Sequence, residues 1–481
     1  MGEKVISHTI MTSFKGMISL CLALLFVFSP KAFAISIPDE QKLGKEFMDM
    51  IQDQGLIIHD PVVRKMIKTV GRHIVETLPV QPFHFDFNML NDQSFNAFAS
   101  PSANIFVNRG LITALDTMDE FAGIMAHEVA HAASRHVSES IDRAKLVTMG
   151  SLAGMLAGVL IGSVGGGGDA AQALTMGSMA AGQSAMLSFT RENETEADQK
   201  AVLFLENTGY DPRGLLAGLT KMRESDFRGI EGIPDYFKTH PGTGNRIAHL
   251  AGILADYTPP ENKPAPPENY DFQMVKYRVI GLYSAPDAYI DKINLKLEKD
   301  PDNPALNYGL GLLYARAGRL ELGFSHLSRA LAADPFDPMV LLELGRLHIR
   351  NQNYSSALSV LEGVSTDKVM GDLAVYYRSV AQIETGSLNA AETGLKRVLA
   401  TKNPGFARAN YHMANIMSQR KQAPMSHYYL GIYYADIMDV KNAVRHLTRA
   451  VETLEDEKIK KKAGNRLDEV RGKAKKKARQ R

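Results

Sequence analysis

Apolar positions recur every three to four residues through Leu43, Phe47, Met50 and Ile51, and again through Val62, Met66, Ile67, Val70 and Ile74. That spacing predicts helices with one apolar face between 40 and 80. The pattern changes over 83–108. Phe83-His84-Phe85-Asp86-Phe87 alternates, and Asn104-Ile105-Phe106-Val107-Asn108 is a second short β-rich run. Both read as strands, with Asn96-Ala97-Phe98-Ala99-Ser100-Pro101 lying between them. Helical spacing resumes at Leu111 and continues to about Val137. A glycine-rich apolar stretch follows at 146–190, then further helices to about 255.

Residues 256–270 carry five prolines. That composition predicts a stiff, extended linker and a domain boundary. Beyond it the chain repeats. Leu310-Gly311 and Leu344-Gly345 are 34 residues apart, and register is kept at Gly323, Ala357 and Ala391 and at Leu327, Leu361 and Leu395. A further unit, shifted by an insertion, holds Leu430-Gly431, Tyr434, Ala443, Leu447 and Ala450, and 405–420 reads as half a unit. A period of 34 residues with small residues where paired helices touch resembles the tetratricopeptide repeat. Such solenoids bury a core only by stacking and bind peptides or proteins on their concave face.

The chemistry lies in His127-Glu128-Val129-Ala130-His131. Histidines at i and i+4 share one helix face, so both imidazoles can reach one Zn²⁺. Glu128 projects beside them, where it can take a proton from an attacking water. The apolar flanks Phe121, Ile124 and Met125 indicate a buried helix, where unpaired His and Glu would be costly. The extended form HExxHxxGxxH is excluded, because Ser134 and Val137 stand at its glycine and third histidine. A helix over Arg191-Glu192-Asn193-Glu194-Thr195-Glu196-Ala197-Asp198 puts Glu194 and Asp198 on one face. Glu194 is then a candidate third ligand and Asp198 a candidate acceptor for a ligating imidazole. By composition alone the same segment also reads as a solvated acidic face.

HExxH followed some sixty residues later by ExxAD resembles the zinc endopeptidase family that includes HtpX and the CAAX prenyl protease. Asn96-Ala97-Phe98-Ala99, Ile105–Leu111 and Thr239-His240-Pro241 with Arg246 match that family's other motifs in order, over 40–255. Export and C-terminal repeats make the chain similar to the family's β-barrel assembly-enhancing type. The resemblance implies a mainly α fold: an HExxH zincin (gluzincin-like) protease domain with a small β-sheet, followed by an α-solenoid of tetratricopeptide repeats. It implies one Zn²⁺ held by His127, His131 and Glu194, with Glu128 as catalytic base and Asp198 behind the ligands. It carries His240 and Arg246 over as active-site residues. His240 would either close the fourth zinc position as an inhibitory switch or donate to the substrate oxyanion. A strand at the sheet edge, assigned to Asn104, Ile105, Phe106 and Val107, would pair with an extended substrate. His136 receives no role.

Composition narrows the picture. A single cysteine, Cys21, excludes a disulfide framework and a Cys₄ metal site. Lys15, the apolar run Met17–Phe28 and Ala32-Phe33-Ala34 form an export signal, with cleavage expected after Ala34 and a periplasmic location. The net charge of +2 hides an asymmetry: Lys458–Arg481 holds twelve Lys/Arg against two Asp/Glu, leaving a mildly acidic body. The expected organisation is a signal peptide at 1–34, the protease domain at 35–255, the linker at 256–270, repeats at 271–457 and a basic tail at 458–481. Peripheral membrane contact by the tail, or a solvated helix end, are both open readings. The stretch 146–190 reads as a glycine-hinged lid in preference to a membrane hairpin. Nothing points to nucleic acid as a partner. The expected partners are unfolded or assembling outer-membrane proteins and their assembly machinery, recruited by the repeats. The rival reading is a repeat-based chaperone or scaffold with an inactive zinc fold. With the two domains separated by the linker at 256–270, removal of 271–481 is expected to spare hydrolysis of small peptides and to impair activity on protein clients.

Overall fold

The computed structural model describes residues 35–144, 190–226, 236, 239–262, 264–267 and 271–479. The export signal at 1–34 and nearly all of the glycine-rich stretch at 146–190 lie outside the described residues. Among the described residues no helix is long and apolar enough to cross a membrane.

Two helices precede the sheet: α1 (Ile37–Asp53), capped by Ser36, and α2 (Pro61–Val75), whose N-cap Asp60 accepts from the Val62 and Val63 N–H groups. The sheet has four strands, β1 (Ile57–Ile58), β2 (Asp86–Leu90), β3 (Ala97–Ser100) and β4 (Asn104–Asn108), in the order β1-β2-β4-β3. Strands β2 and β4 are parallel, from Asp86 opposite Asn104 to Leu90 opposite Asn108. β3 runs antiparallel to β4, with Ala99 opposite Ile105. Phe47 of α1 meets Phe98 and Phe106 edge-on, closing the core between helix and sheet.

Two strand expectations change. Phe83 and Phe85 are buried, but the strand starts at Asp86. Asn104, Ile105, Phe106 and Val107 do not form an edge; they form the inner strand β4, paired on both sides. The edge beside it is β3, in the segment between the two runs. Local alternation identifies a strand but not its neighbours, which are set by tertiary packing.

After the sheet come α3 (Arg109–Ala114), α4 (Met118–Ala133), which carries HExxH, and α5 (His136–Ala144). Then follow α6 (Arg191–Thr208), α7 (Arg213–Asp226) and α8 (Thr243–Ile253). Helix α4 is capped by Thr117 and buried along nearly its whole length. Helix α6 begins with a reciprocal cap between Thr190 and Asn193 and ends at Gly209, whose φ of 80° suits glycine.

The repeats pair helices as the 34-residue period requires. Pro304–Arg316 packs on Leu320–Ala333, Pro338–Arg350 on Tyr354–Val364, and Gly371–Glu384 on Leu388–Ala400. The half unit is the single helix Ala407–Gln419, ahead of the pair Ala423–Asp436 and Val440–Thr453. A methyl group on Gly311, Gly345 or Gly431 would collide with Leu327, Leu361 or Leu447, the same contact in three units. The basic segment is no loose tail as far as Arg479. Helix Glu457–Arg479 buries Ala463, Leu467 and Val470 in the core of the last repeat.

The proline-rich segment does not insulate the two parts. Pro264 lies against Gly209 so closely that a Cβ there would overlap its carbonyl. The next helix, Phe272–Tyr283, sits on the protease core: Phe272, Val275 and Val279 share one apolar cluster with Phe121 and Ile124. The fully buried Arg278 bonds Asp60 (2.9 Å), Tyr308 Oη (2.6 Å) and Glu343 (3.0 Å). One guanidinium thus ties the cap of α2 to the second repeat.

Candidate metal centre

The site forms where α4 and α6 cross above β3. His127 and His131, one turn apart on α4, face Glu194 and Asp198, one turn apart on α6. All four side chains are fully buried. His127 Nε2 lies 2.9 Å from His131 Nε2 and 3.4 Å from Glu194 Oε2. His131 Nε2 lies 3.5 Å from Glu194 Oε1. His240 Nδ1 adds a fourth corner, 3.0 Å from Glu194 Oε1 and 3.4 Å from His127 Nε2. A tetrahedral shell with bonds of about 2.0–2.1 Å has donor-to-donor edges of about 3.3 Å. The observed edges fit a single metal ion of that kind.

The surrounding groups hold these donors. Asp198 Oδ1 stands 2.9 Å from His127 Nδ1 and accepts its hydrogen, which turns Nε2 into the cluster. Arg246 Nη2 and Nε bond Asp198 at 2.7 and 2.8 Å, and its Nη1 lies 2.6 Å from Glu194 Oε2. The sequence places Arg246 among the catalytic residues. The structure puts it behind the carboxylates, where it positions them and neutralises their charge. The Tyr236 ring stacks on His240 with centroids 4.2 Å apart.

Glu128 stands on the β3 side. Its Oε2 accepts the Ala99 N–H at 3.1 Å. Asn108 N bonds Asn96 O, so alternation along the antiparallel pair turns the Ala97 and Ala99 amides away from β4. The sheet edge therefore supplies the donor that fixes Glu128. Its other oxygen, Oε1, has no hydrogen-bond partner among the described residues and lies 3.7 Å from His240 Nε2. A buried carboxylate oxygen left bare is expensive. Its placement suits a bound water or substrate group.

Charge balance follows from burial and partners. Burial pulls the His127 imidazole down, but the Asp198 and Glu194 carboxylates overcome it and hold it at about 9. Burial drives His131 well below its usual range. It pushes the Glu128 carboxyl up, towards the basicity a proton acceptor needs. Burial opposes ionisation of Glu194, yet His240, Arg246 and His131 hold its carboxyl well below the usual range.

Two neighbours were not legible as functional in the sequence. His136 Nδ1 lies 3.0 Å from His131 Nδ1, and Tyr236 backs His240. Helical spacing fails for His136, because the chain turns through Arg135 in a left-handed conformation, φ 57°. Tyr236 had no motif to mark it.

A buried His–His–Glu cluster on two crossing helices, with a glutamate beside it, defines the HExxH class of metallopeptidase domains. Residues 61–254 match the family model Peptidase family M48, and residues 296–338 match a tetratricopeptide repeat model. The chain is thus similar to Peptidase family M48 over a segment that precedes its tetratricopeptide repeats. It is 26% identical over 321 residues to the β-barrel assembly-enhancing protease of Yersinia pestis, covering 65% of this chain and 64% of that one. It is 29% identical over 288 residues to a putative β-barrel assembly-enhancing protease of Vibrio cholerae, covering 58% and 57%. The mitochondrial metalloendopeptidase OMA1 of Arabidopsis thaliana is 29% identical over 198 residues, covering 40% and 37%. In each case the match spans less than two thirds of the relative's own length.

Proposed function

We propose that the protein is a zinc-dependent endopeptidase of the periplasm that acts on unfolded or assembling outer-membrane proteins recruited by its repeats. The observation that carries the enzymatic part is the closed cluster of His127, His131 and Glu194 with Glu128 held beside it. The export signal, the repeats and the names of the bacterial relatives support the location and clients.

A divalent metal bound there supplies Lewis acidity to a scissile carbonyl and acidifies water. Glu128 accepts the proton of the attacking water at Oε1 while Ala99 N–H keeps its Oε2 in place. As the C–N bond breaks, Glu128 returns that proton to the leaving amine. Arg246 and Asp198 keep Glu194 and His127 aimed at the metal. The edge available to an extended substrate is β3, which replaces the assignment to 104–108.

His240 deepens this reading. Its Nδ1 sits at a ligand's distance from Glu194 and His127. His240 would then help His127, His131 and Glu194 hold the metal and act as an inhibitory switch until a client or partner moves its loop. His240 precedes Pro241, which biases it away from helix. Casein hydrolysis with and without a chelator, by the natural chain and by Glu128→Gln, tests the proposal. Chelator-sensitive hydrolysis that disappears in Glu128→Gln supports it. Absence of hydrolysis from both the metal-loaded natural chain and metal-loaded His240→Ala leaves the scaffold reading instead.

A further inference from the structure

His127 is oriented by the Asp198 carboxylate. At His131, Nδ1 meets a second imidazole, His136 Nδ1, at 3.0 Å. The geometry requires the turn at Arg135, held by Glu40 Oε2 at 2.7 and 2.9 Å and by the Ile35 carbonyl at 2.8 Å. That turn folds buried His136 back over the end of α4. The far nitrogen of His136, Nε2, lies 3.4 Å from Glu196 Oε2. Glu196 Oε1 is in turn bonded by Lys200 Nζ at 2.5 Å and by Ser134 Oγ at 3.3 Å.

The proton placement follows from one requirement. If His131 offers its Nε2 lone pair to a metal, its single ring hydrogen is on Nδ1. Two imidazole nitrogens in contact need one donor and one acceptor. His131 Nδ1–H therefore donates to the His136 Nδ1 lone pair. The hydrogen of His136 is then on Nε2, facing the Glu196 carboxylate.

We infer that His136 and Glu196 are positioning residues, a two-step relay that fixes the tautomer and ring plane of His131 and so sets the affinity for the metal. This rests on the reading of His127, His131 and Glu194 as metal ligands. The arrangement differs from that at His127 in its outer end. Asp198 is fully buried, whereas Glu196 is about half exposed and shared with Lys200. Binding strength at the buried site is thereby coupled to a charge pair on the surface of α6. Removal of partners that orient a ligating histidine lowers metal affinity about 10–100-fold.

The test is the Zn²⁺ affinity of the full chain, measured by competition with a chelator, in variants of the relay. His136→Leu removes the acceptor and should weaken binding about 10–100-fold. His136→Asn keeps an acceptor, Oδ1, near the Nδ1 position but ends the relay there, so it should fall between His136→Leu and the natural chain. Glu196→Gln should weaken binding severalfold in the natural chain and have no further effect combined with His136→Asn. Thermal unfolding of Glu196→Gln in excess chelator should match the natural chain, which a merely structural role for Glu196 does not predict. Affinity of His136→Leu within twofold of the natural chain would overturn the relay. So would a Glu196→Gln effect of equal size with and without His136→Asn, and this comparison stands even if His136→Leu fails to fold. If the natural chain itself binds no Zn²⁺, the ligand assignment fails and the relay with it; binding that all variants share overturns the relay alone.

Discussion

Glu128 is useful because two different elements define it: α4 sets its backbone and the β3 edge fixes one oxygen through Ala99 N–H. Glu128→Gln keeps the shape and loses the proton acceptor. Hydrolysis should fall by at least about 10²–10⁴-fold with metal retained, and a wild-type rate from this variant would remove Glu128 from the role of base. His240 makes a sharper demand. As a switch at the fourth corner, His240→Ala should raise casein degradation and self-cleavage; reduced rates in both assays would favour an oxyanion donor instead. The ligand pairs were readable because each lies one helical turn apart, so spacing alone gives a shared face. Pairing α6 with α4 came from family resemblance, since by composition alone the acidic run Glu192 to Asp198 reads first as a solvated face. His136 was hidden because its approach to His131 depends on the left-handed turn at Arg135, which no periodicity encodes.

At the scale of elements, Arg278 links three of them. It satisfies Asp60 at the start of α2, Tyr308 in the first repeat and Glu343 in the second, with no exposure to water. Arg278→Met would strip buried Asp60 of the guanidinium it bonds and leave buried Glu343 to Arg346. A loss of about 3–5 kcal/mol in unfolding free energy is expected, measurable by urea denaturation; a change under 1 kcal/mol would show that the network relaxes around the loss. The repeats were legible where glycine packs under leucine, as in Gly311 and Gly345. The third unit was faint for a physical reason. Ser379 stands where the first two units have Gly311 and Gly345, and a Cβ on Gly394 of the partner helix would strike it. The helices still approach closely while the sequence pattern changes. Strand order was not legible at all: β4 looked like an edge because nothing local in Asn104–Asn108 says that β3 folds back beside it.

The whole molecule is less divisible than its proline-rich segment suggests. A chain ending at 270 would uncover Phe121 and strip Asp60 of Arg278. It should melt at a lower temperature and hold metal poorly; a truncated protein that unfolds like the full chain would restore the independent boundary. A further contact between the parts is acid-sensitive. Burial works against ionisation of Asp116, but Lys221 and Lys276 hold its carboxyl at about 2, below the usual 3.8. A depressed pKa gives stability that is present above about pH 4 and lost as pH falls towards 2. Asp116→Asn should flatten the pH dependence of unfolding in that window, modestly, because Asp116 is half exposed and its pairs are screened. The central claim, that the crossing of α4 and α6 is a metal centre built for hydrolysis, is tested most directly by elemental analysis of the purified full chain and two variants. The account predicts about one zinc per chain in the natural protein and in Glu128→Gln, and little in Glu194→Ala. Zinc retained undiminished in Glu194→Ala, or absent from the natural protein after purification and reloading, would contradict it.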